Sequence, residues 1–357
     1  MHRLRVRGVH ANIARRCAPV WLLSLGLLAP TAALAQTDLG PVTVGGGLRT
    51  SYVNTNPDGG PSNSQFQLND IRLYVSGTAY KDVKFMFNTD YNSITNTVNV
   101  LDAVARIEVS PEVNFWAGRF LPPSDRANLY GPFYAHEWNV YTDGIQDGYP
   151  FVFQGRDNGV AYWGTFAKKI KVSVGAFDGK TATGVSKTIG AARVQIDFWD
   201  PEDGYYLNGT YYGDKNLLAI GGATQYQDGH TATSVDFLLE RKLPNKGVIS
   251  FESEYANYNR LGGYNSAYAK SQGAYGTLSY LFPQKVGVGQ FEVLGKYAKA
   301  EFTHGATPNY SQKTTEFNLN YVIKQFNLRV MSFGQSTKFN GVNKDFWQVG
   351  IGLQVQI

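Results

Sequence analysis

The last eleven residues, Trp347-Gln348-Val349-Gly350-Ile351-Gly352-Leu353-Gln354-Val355-Gln356-Ile357, alternate strictly between apolar and polar or small side chains. Successive side chains of a β-strand point to opposite faces, so this period of two predicts a strand with one apolar face. A strand of ~9–11 residues is the length that a tilted bilayer crossing requires. The stretch therefore predicts a membrane-spanning strand, although a strand of a soluble sandwich can also alternate.

Period-two alternation recurs along most of the chain, whereas convincing helical periodicity does not. It is clear in segments 70–76, 84–88, 193–198, 235–240, 291–297 and 316–324. In segment 101–108, Leu101, Ala103, Ala105 and Ile107 are predicted to share the lipid-facing side. A Lys or Arg that faces lipid at mid-bilayer costs about 2–4 kcal/mol, so the charged faces are expected to line a wet interior. Unpaired edge groups have no water to bond in a membrane, so the sheet must close into a barrel.

The strand count depends on one ambiguous run. Counting every β-like run gives seventeen. An odd number of strands cannot close an up-and-down barrel with both chain ends on the inner side of the membrane. Gly204–Gly213 is the run to remove, because its glycines and tyrosines make a poor lipid-facing surface. Residues 200–216 are therefore predicted to be an extended periplasmic connection. The predicted fold is an all-β, 16-stranded antiparallel transmembrane β-barrel with short periplasmic turns and longer external loops.

Residues 1–35 are predicted to be a signal peptide. They contain five arginines, an apolar run at 20–28 and the small-x-small pattern Ala33-Leu34-Ala35, with a membrane anchor as the alternative. Cleavage after Ala35 would leave residues 36–357 as the barrel. The arginines leave with this peptide, so 33 − 5 = 28 basic residues balance 28 acidic ones in the mature chain. Cys17, the single cysteine, leaves too, and neither a nucleic-acid partner nor a disulfide is predicted.

The charged residues on the polar faces of the strands are predicted to line the pore. They are Arg49, Asp70, Arg72, Lys84, Asp102, Arg106, Glu108, Arg193, Lys296, Lys324 and Arg329. Because both signs are present, these faces do not by themselves predict strong selectivity for anions or cations.

The longest connection, Leu121–Gln154, is predicted to be the third external loop and to fold into the channel and narrow it. Leu121-Pro122-Pro123 ends the preceding strand, because proline cannot donate a ladder hydrogen bond. Structureless connections of this length are uncommon and usually carry function. The predicted constriction residues are Arg119, Arg126, His136, Glu137, Asp143 and Asp147, and the predicted anchor pair at the loop's return is Arg156 and Asp157.

Two roles remain open for parts of this loop. Arg119 is either a constriction cation or a rim arginine paired with Asp125 or Glu137. The loop aromatics are expected to pack against the inner wall, or to form a slide for sugars and other ring-bearing solutes. They are Tyr130, Phe133, Tyr134, Trp138, Tyr141, Tyr149, Phe151 and Phe153.

Four sequence blocks occur in a characteristic order: Arg72–Thr78, Trp116–Pro123, Gly155–Val160 and Phe198–Tyr206. With these blocks the chain resembles the phosphate-selective porin O and P family of Gram-negative outer membranes. The resemblance implies a sixteen-stranded homotrimeric porin with an inward third loop, in contact with outer-membrane lipid and lipopolysaccharide. Known members use an arginine ladder and a lysine-rich constriction, whereas the long loop here has four acids and no lysine. A general pore is therefore favoured over a phosphate- or polyphosphate-selective channel.

The predicted function is passive diffusion of ions and small hydrophilic solutes, anions among them. An enzyme is not favoured, because His136, His230 and His304 lie in predicted loops and no pair has metal-ligand spacing. No catalytic residue, metal site or cofactor is predicted. A barrel enzyme and a non-conducting structural or adhesive barrel are the alternatives from other classes.

Overall fold

A computed structural model describes residues 42–92, 96–146, 155–179, 185–262, 269–341 and 343–357. The predicted signal peptide, its cleavage site and Asp147 lie outside these residues. Sixteen strands are present: β1 (Thr43–Pro57), β2 (Asn63–Tyr80), β3 (Val83–Asn92), β4 (Thr97–Glu108), β5 (Asn114–Phe120), β6 (Asp157–Phe166), β7 (Ile170–Phe177), β8 (Ile189–Asp197), β9 (Leu217–Gln227), β10 (His230–Lys242), β11 (Val248–Asn259), β12 (Lys270–Val286), β13 (Gly289–Thr303), β14 (Tyr310–Lys324), β15 (Leu328–Asn340) and β16 (Phe346–Gln356). One short helix, α1 (Arg126–Tyr130), is also described.

These strands form a closed antiparallel barrel in which each strand pairs with its sequence neighbours. Closure comes from β1 and β16, whose register runs from Gly47 opposite Gln356 to Pro57 opposite Phe346. The predicted sixteen-stranded antiparallel fold is confirmed, and Gly204–Gly213 forms no strand. None of the helices in the described residues has the length and apolarity needed to cross a membrane.

The strands place apolar side chains outside and polar side chains inside. In β16, Ile351 is 50% exposed and its outward neighbours Val349 and Leu353 are also exposed, whereas Gln354 is 0% exposed and faces inward. This is the alternation predicted from the sequence. Soluble proteins rarely expose a continuous apolar surface of this kind, so the outer surface is suited to lipid.

One predicted face is wrong because of a β-bulge. In the pairing of β3 with β4, Asn88 lies opposite Asp102 but Thr89 lies opposite Val100, so Leu101 has no partner. The extra residue shifts the local alternation. Leu101 is consequently 2% exposed on the inner side, rather than on the outward face predicted for it.

The largest hydrophobic cluster lies on the inner side of the barrel. It joins inward side chains of the strands, such as Trp116 and Phe177, to residues of two connections. Leu129 and Ile145 come from the β5–β6 connection, and Leu207 comes from the β8–β9 connection. Because strand direction alternates, these two connections begin at opposite ends of the barrel.

Candidate functional site: a cavity between two connecting segments and the barrel wall

The β5–β6 segment, defined here as residues 121–146, is organised by α1. Asp125 precedes the helix, and its carboxylate accepts a hydrogen bond from the Asn128 amide at 3.0 Å. Such N-caps satisfy a backbone donor that the helix leaves unpaired. The helix ends at Gly131, whose positive φ of 67° glycine adopts without strain. All five residues of α1 are buried.

Arg126 of α1 holds this segment to two other elements. Its guanidinium makes a bidentate ion pair with Glu202 of the β8–β9 connection, with an Nη1–Oε1 distance of 2.9 Å. Its Nε lies 3.8 Å from Asp236 of β10. Arg126 and Glu202 are both fully buried. Although burial raises the pKa of Glu202, the Arg126 guanidinium more than offsets this and lowers the pKa to about 2. Arg126 was predicted to lie at the constriction, and its charge is neutralised by the ion pair with Glu202.

Lys296 of β13 fixes the far end of the segment. Its Nζ lies 3.0 Å from Glu137, 2.9 Å from Asp143 and 2.8 Å from the Gln146 side-chain oxygen. All three charged side chains are at most 2% exposed. Two of the four loop acids that argued against an anion pore are therefore paired with a buried lysine. Lys296 was predicted to line the pore, and it contacts the segment instead.

The middle of the segment is held by His136 and the backbone around it. The His136 Nε2 lies 2.7 Å from Glu292 of β13. Burial lowers the pKa of His136, but Glu292 outweighs it and the pKa lies above the usual value. Arg329 donates to the Ala135 carbonyl at 2.8 Å. Arg49 donates to the Trp138 carbonyl at 2.9 Å and lies over the Trp138 ring.

Further contacts extend this pattern around the barrel. Arg193 donates to the Ser124 carbonyl at 3.1 Å and also binds Asp236 at 2.8 Å. Tyr130 donates to Glu252 of β11 at 3.0 Å. Taken together, the β5–β6 segment contacts side chains of β1 and of every strand from β8 to β16. Arg49, Arg193 and Arg329, which were predicted to line the pore, are buried in these contacts.

The β8–β9 segment, defined here as residues 198–216, packs directly on the β5–β6 segment. The Leu207 amide donates to the Leu129 carbonyl at 3.3 Å, and the Gly209 amide donates to the Tyr134 carbonyl at 2.9 Å. Tyr205 donates to the Leu121 carbonyl at 2.8 Å. The predicted site residues included none from this segment. Its four tyrosines are the sequence feature that could have indicated this packing, because a solvated turn does not need so much aromatic surface.

A cavity of about 330 Å³ lies between these two segments and the wall formed by β2, β3 and β4. Its charged lining residues are Arg72, Asp102, Arg106 and Arg156. Three of these were predicted to line the pore, and Arg156 was predicted to anchor the loop. The two segments contribute an aromatic and aliphatic lining: Leu121, Leu129, Tyr130, Tyr134, Tyr206 and Leu207.

Each cavity arginine has a carboxylate within 4 Å. Arg156 Nε lies 3.4 Å from Asp102 of β4. Arg72 lies 3.8 Å from Asp90, and Arg106 lies 3.8 Å from Glu108. At those two distances the pairs are ionic contacts without a hydrogen bond. Among the described residues, the Nε atoms of Arg72 and Arg106 have no hydrogen-bond partner.

Aromatic rings orient two of these guanidinium groups. Arg72 lies 5.1 Å from the centroid of the Phe133 ring, and Arg106 lies 5.5 Å from that of Trp116. A ring face attracts a cation without using its N–H donors. These ring contacts therefore do not use the guanidinium donors of either arginine.

The other predicted pore residues lie outside the cavity lining. Lys84 pairs with Glu108 at 2.7 Å and is partly exposed, and Asp70 pairs with Arg49 at 3.0 Å. Lys324 is exposed at the end of β14. Asp157, the other predicted anchor residue, begins β6 and accepts from the Asn158 amide at 2.8 Å.

Arg119 is not on the inner side. It shares the outward face of β5 with Phe115 and Ala117, because the inward positions of that strand are the even-numbered ones. It donates to the Asn158 side-chain oxygen at 3.0 Å, rather than to either of the two acids suggested for it. The prediction of Arg119 as a constriction cation is wrong. The alternation between inward and outward side chains cannot be read reliably from a strand of seven residues that ends just before Leu121-Pro122-Pro123.

No group of three His, Cys, Asp or Glu side chains within the described ranges is arranged to hold a metal ion. His136 is held between Glu292 and Ser279, and Asp143 also accepts a backbone hydrogen bond from Ile145 at 2.8 Å. The contacts of both residues are those of a packed segment.

No protein-family model matches the chain, and no curated protein matches its sequence. Solved structures do match. An anion-selective porin from Comamonas acidovorans has a TM-score of 0.60 at 13% identity, over 89% of this chain and 99% of that chain. OprB of Pseudomonas putida at high pH has a TM-score of 0.60 at 8% identity, over 88% and 94%. The trimer form of OmpT, an outer membrane protein of Vibrio cholerae, has a TM-score of 0.55 at 11% identity, over 90% and 100%. At these identities the likeness concerns the fold, and the chain has a porin-type β-barrel fold.

Proposed function

We propose that this protein is an outer-membrane porin through which ions and small hydrophilic solutes diffuse passively. The observation that carries the proposal is a closed barrel with an apolar outer face and an arginine-lined inner cavity. A passive pore needs a polar path inside a lipid-compatible exterior. No other element is required for solutes to move down a gradient.

The proposed location is the outer membrane of a Gram-negative bacterium, reached after export and cleavage behind Ala35. The outward side chains of β16, with Ile351 half-exposed, support contact with lipid and lipopolysaccharide. A closed barrel leaves no unpaired strand edge in such an environment. The porin-type fold of the matched structures is consistent with this location.

The β5–β6 segment is proposed to be the third external loop, folded inward to form the constriction. Its support is the set of contacts with β1 and with β8 to β16, made through Arg126, His136, Glu137 and other residues. These contacts leave the side formed by β2, β3 and β4 for solute. The proposed path therefore runs through the 330 Å³ cavity.

The proposed selectivity is a modest preference for anions. The cavity lining contains three arginines against Asp102. The loop acids Glu137 and Asp143 are paired with Lys296 and do not face the cavity. Nearby carboxylates offset part of the arginine charge, so a strong preference is not expected.

The protein is also proposed to assemble as a homotrimer. The resemblance to the porin O and P family implies it, and the matched OmpT form is a trimer. Native mass spectrometry of the detergent-solubilised protein should give three times the mass of the mature chain. A monomer mass under conditions that keep the barrel folded would exclude this assembly.

Planar-bilayer recording tests the pore. A stable single-channel conductance is expected, with a reversal potential across a KCl gradient that shifts modestly toward that of chloride. Arg72→Gln should move the reversal potential toward that of potassium, because one of three cavity cations is lost. Lys299→Gln is the charge-matched control, because Lys299 is an exposed residue paired with Glu301 outside the cavity. A closed or cation-selective barrel would contradict the proposal.

A further inference from the structure

We infer that the cavity binds small organic monoanions with an apolar body, specifically aromatic carboxylates, in preference to inorganic phosphate. This inference rests on the proposed function and names the solute class that the same site takes. It follows from two unlike sets of residues that line the cavity.

One wall is cationic. Arg72 and Arg106 line it from β2 and β4, and Arg156 lines it from the position just before β6. The planar guanidinium group presents paired donors that match the two oxygens of a carboxylate. Arg72 is 8% exposed, and its Nε and that of Arg106 are buried without a hydrogen-bond partner among the described residues. The cavity is therefore lined by three guanidinium groups and by one carboxylate, that of Asp102.

The other wall is apolar and belongs to the two connecting segments. Leu121, Leu129 and Leu207 contribute aliphatic carbon, and Tyr130 and Tyr206 contribute rings. Burying apolar surface against such a wall is favourable, and a phosphate ion has no apolar surface to bury. An aromatic ring attached to the anionic group would use both walls at once.

The local charge favours a single negative charge. Each guanidinium already has one carboxylate within 4 Å: Asp90 for Arg72, Glu108 for Arg106 and Asp102 for Arg156. The wall is therefore rich in donors but only partly positive. A doubly charged phosphate would be repelled by these carboxylates more strongly than a monocarboxylate, because charge–charge energies scale with the product of the charges.

The size of the cavity agrees with this class. A volume of about 330 Å³ lies at the lower end of the range of small-molecule sites, about 300–1,000 Å³. Sites of this size take a single-ring compound. A large oligosaccharide or polyphosphate chain would not be enclosed.

Isothermal titration calorimetry of the purified, folded protein in detergent tests the inference without any current measurement. The probes are benzoate, acetate, benzyl alcohol and inorganic phosphate. Benzoate is expected to bind with a dissociation constant at least about tenfold below that of each other probe, since it alone meets both walls. Phosphate or acetate binding as tightly as benzoate would overturn the inference.

Variants separate the contributions of the two walls. Arg106→Gln should weaken benzoate binding about tenfold or more and leave benzyl alcohol binding unchanged. Leu207→Ser should weaken benzoate and benzyl alcohol alike and leave acetate unchanged. The matched controls are Lys299→Gln for charge and Leu243→Ser, in the β10–β11 turn, for apolar surface. Benzoate affinity that responds to neither cavity variant would overturn the inference.

Outcomes for the two proposals are distinguishable. Heat-modifiable migration on gels shows that each variant has folded, and the comparison of probes on the unmodified protein needs no variant. Selective benzoate binding by a non-conducting barrel would exclude the porin but keep the site. A conducting barrel without benzoate preference would keep the porin and exclude the solute class.

Discussion

Arg126 and Glu202 form a fully buried ion pair between two segments that begin at opposite ends of the barrel. A buried pair is a weak source of net stability, but removing one partner leaves an uncompensated charge. After loss of Glu202, the carboxylate remaining near Arg126 would be Asp236 at 3.8 Å. This pair is therefore one of the contacts that hold the two segments together.

Glu202→Gln is expected to destabilise the folded protein by about 3–5 kcal/mol, because it leaves the Arg126 charge buried without its bidentate partner. Denaturant unfolding of the refolded barrel in detergent measures the change. The control is Asp203→Asn in the same segment, because Asp203 is 83% exposed in its pair with Lys215. Exposed pairs contribute about 0–1 kcal/mol, so equal losses in the two variants would contradict the role of Glu202.

The same carboxylate predicts an acid transition. Its folded-state pKa of about 2 lies below the ordinary value of 4.5, so its contribution is complete above pH 4.5 and is lost as the pH falls toward 2. Tryptophan fluorescence between pH 7 and pH 2 should show a transition confined to that acid range, since Trp116 packs against Tyr205 of the β8–β9 segment. Subtracting the Glu202→Gln profile isolates the contribution of Glu202. A transition above pH 5 that Glu202→Gln abolishes would contradict the assignment.

The β5–β6 and β8–β9 segments together occupy the inner side of the barrel wall. The Leu207–Leu129 and Gly209–Tyr134 backbone hydrogen bonds connect them, and Tyr205 adds a third contact. The cavity is bounded by both, so its width depends on a connection from each end. The β8–β9 segment is accordingly part of the proposed constriction.

Replacing residues 204–209 with a Gly-Ser chain of equal length should raise single-channel conductance and the solute size limit. The replacement removes Tyr205, Tyr206 and Leu207 from the inner side without shortening the connection. Liposome swelling with sugars of increasing size measures the limit. The control is the same replacement at residues 304–309, a connection between β13 and β14 that does not line the cavity. Unchanged conductance and size limit would show that the segment lies outside the solute path.

The whole barrel exposes apolar side chains on its outer face and buries polar side chains on its inner face. On β16, for example, Ile351 is exposed and Gln354 is buried. Its hydrogen-bonded ladder closes on itself, so stability in lipid depends on the outer face remaining apolar. The inner face tolerates charge because it contacts polar side chains and water.

Ile351→Lys should reduce folding into liposomes, because a lysine on the lipid face costs about 2–4 kcal/mol near mid-bilayer. The fraction of heat-modifiable protein after refolding measures the effect. Gln348→Lys is the control, since Gln348 faces inward three residues earlier on the same strand. Equal refolding yields for the two variants would contradict the lipid-facing assignment of Ile351.

Alternation predicted the strands, because the period of two is a local property that each strand carries in its own residues. The need for an even number of strands reduced seventeen runs to sixteen, and the need to pair strand edges in a membrane predicted closure. Alternation also predicted that Arg72, Asp102 and Arg106 face inward, and all three line the cavity. The alternation pattern predicted the wrong face where strand pairing shifts the order of inward and outward side chains. The bulge at Leu101 exists only in the register between β3 and β4, and Arg119 lies on a strand too short to fix its phase.

The fate of each inward charge depended on partners distant in the sequence. Arg126 meets Glu202 after 76 residues and Lys296 meets Glu137 across 159, and no spacing rule connects such positions. Lys296 also pairs with Asp143, and neither Glu137 nor Asp143 lines the cavity, whereas Arg72, Arg106 and Arg156 do. Local alternation thus predicts the inward side chains of the regular strands, because strand geometry is local. Folding of the two segments against the wall selects which of them a solute can reach, because charge pairing and packing act through space.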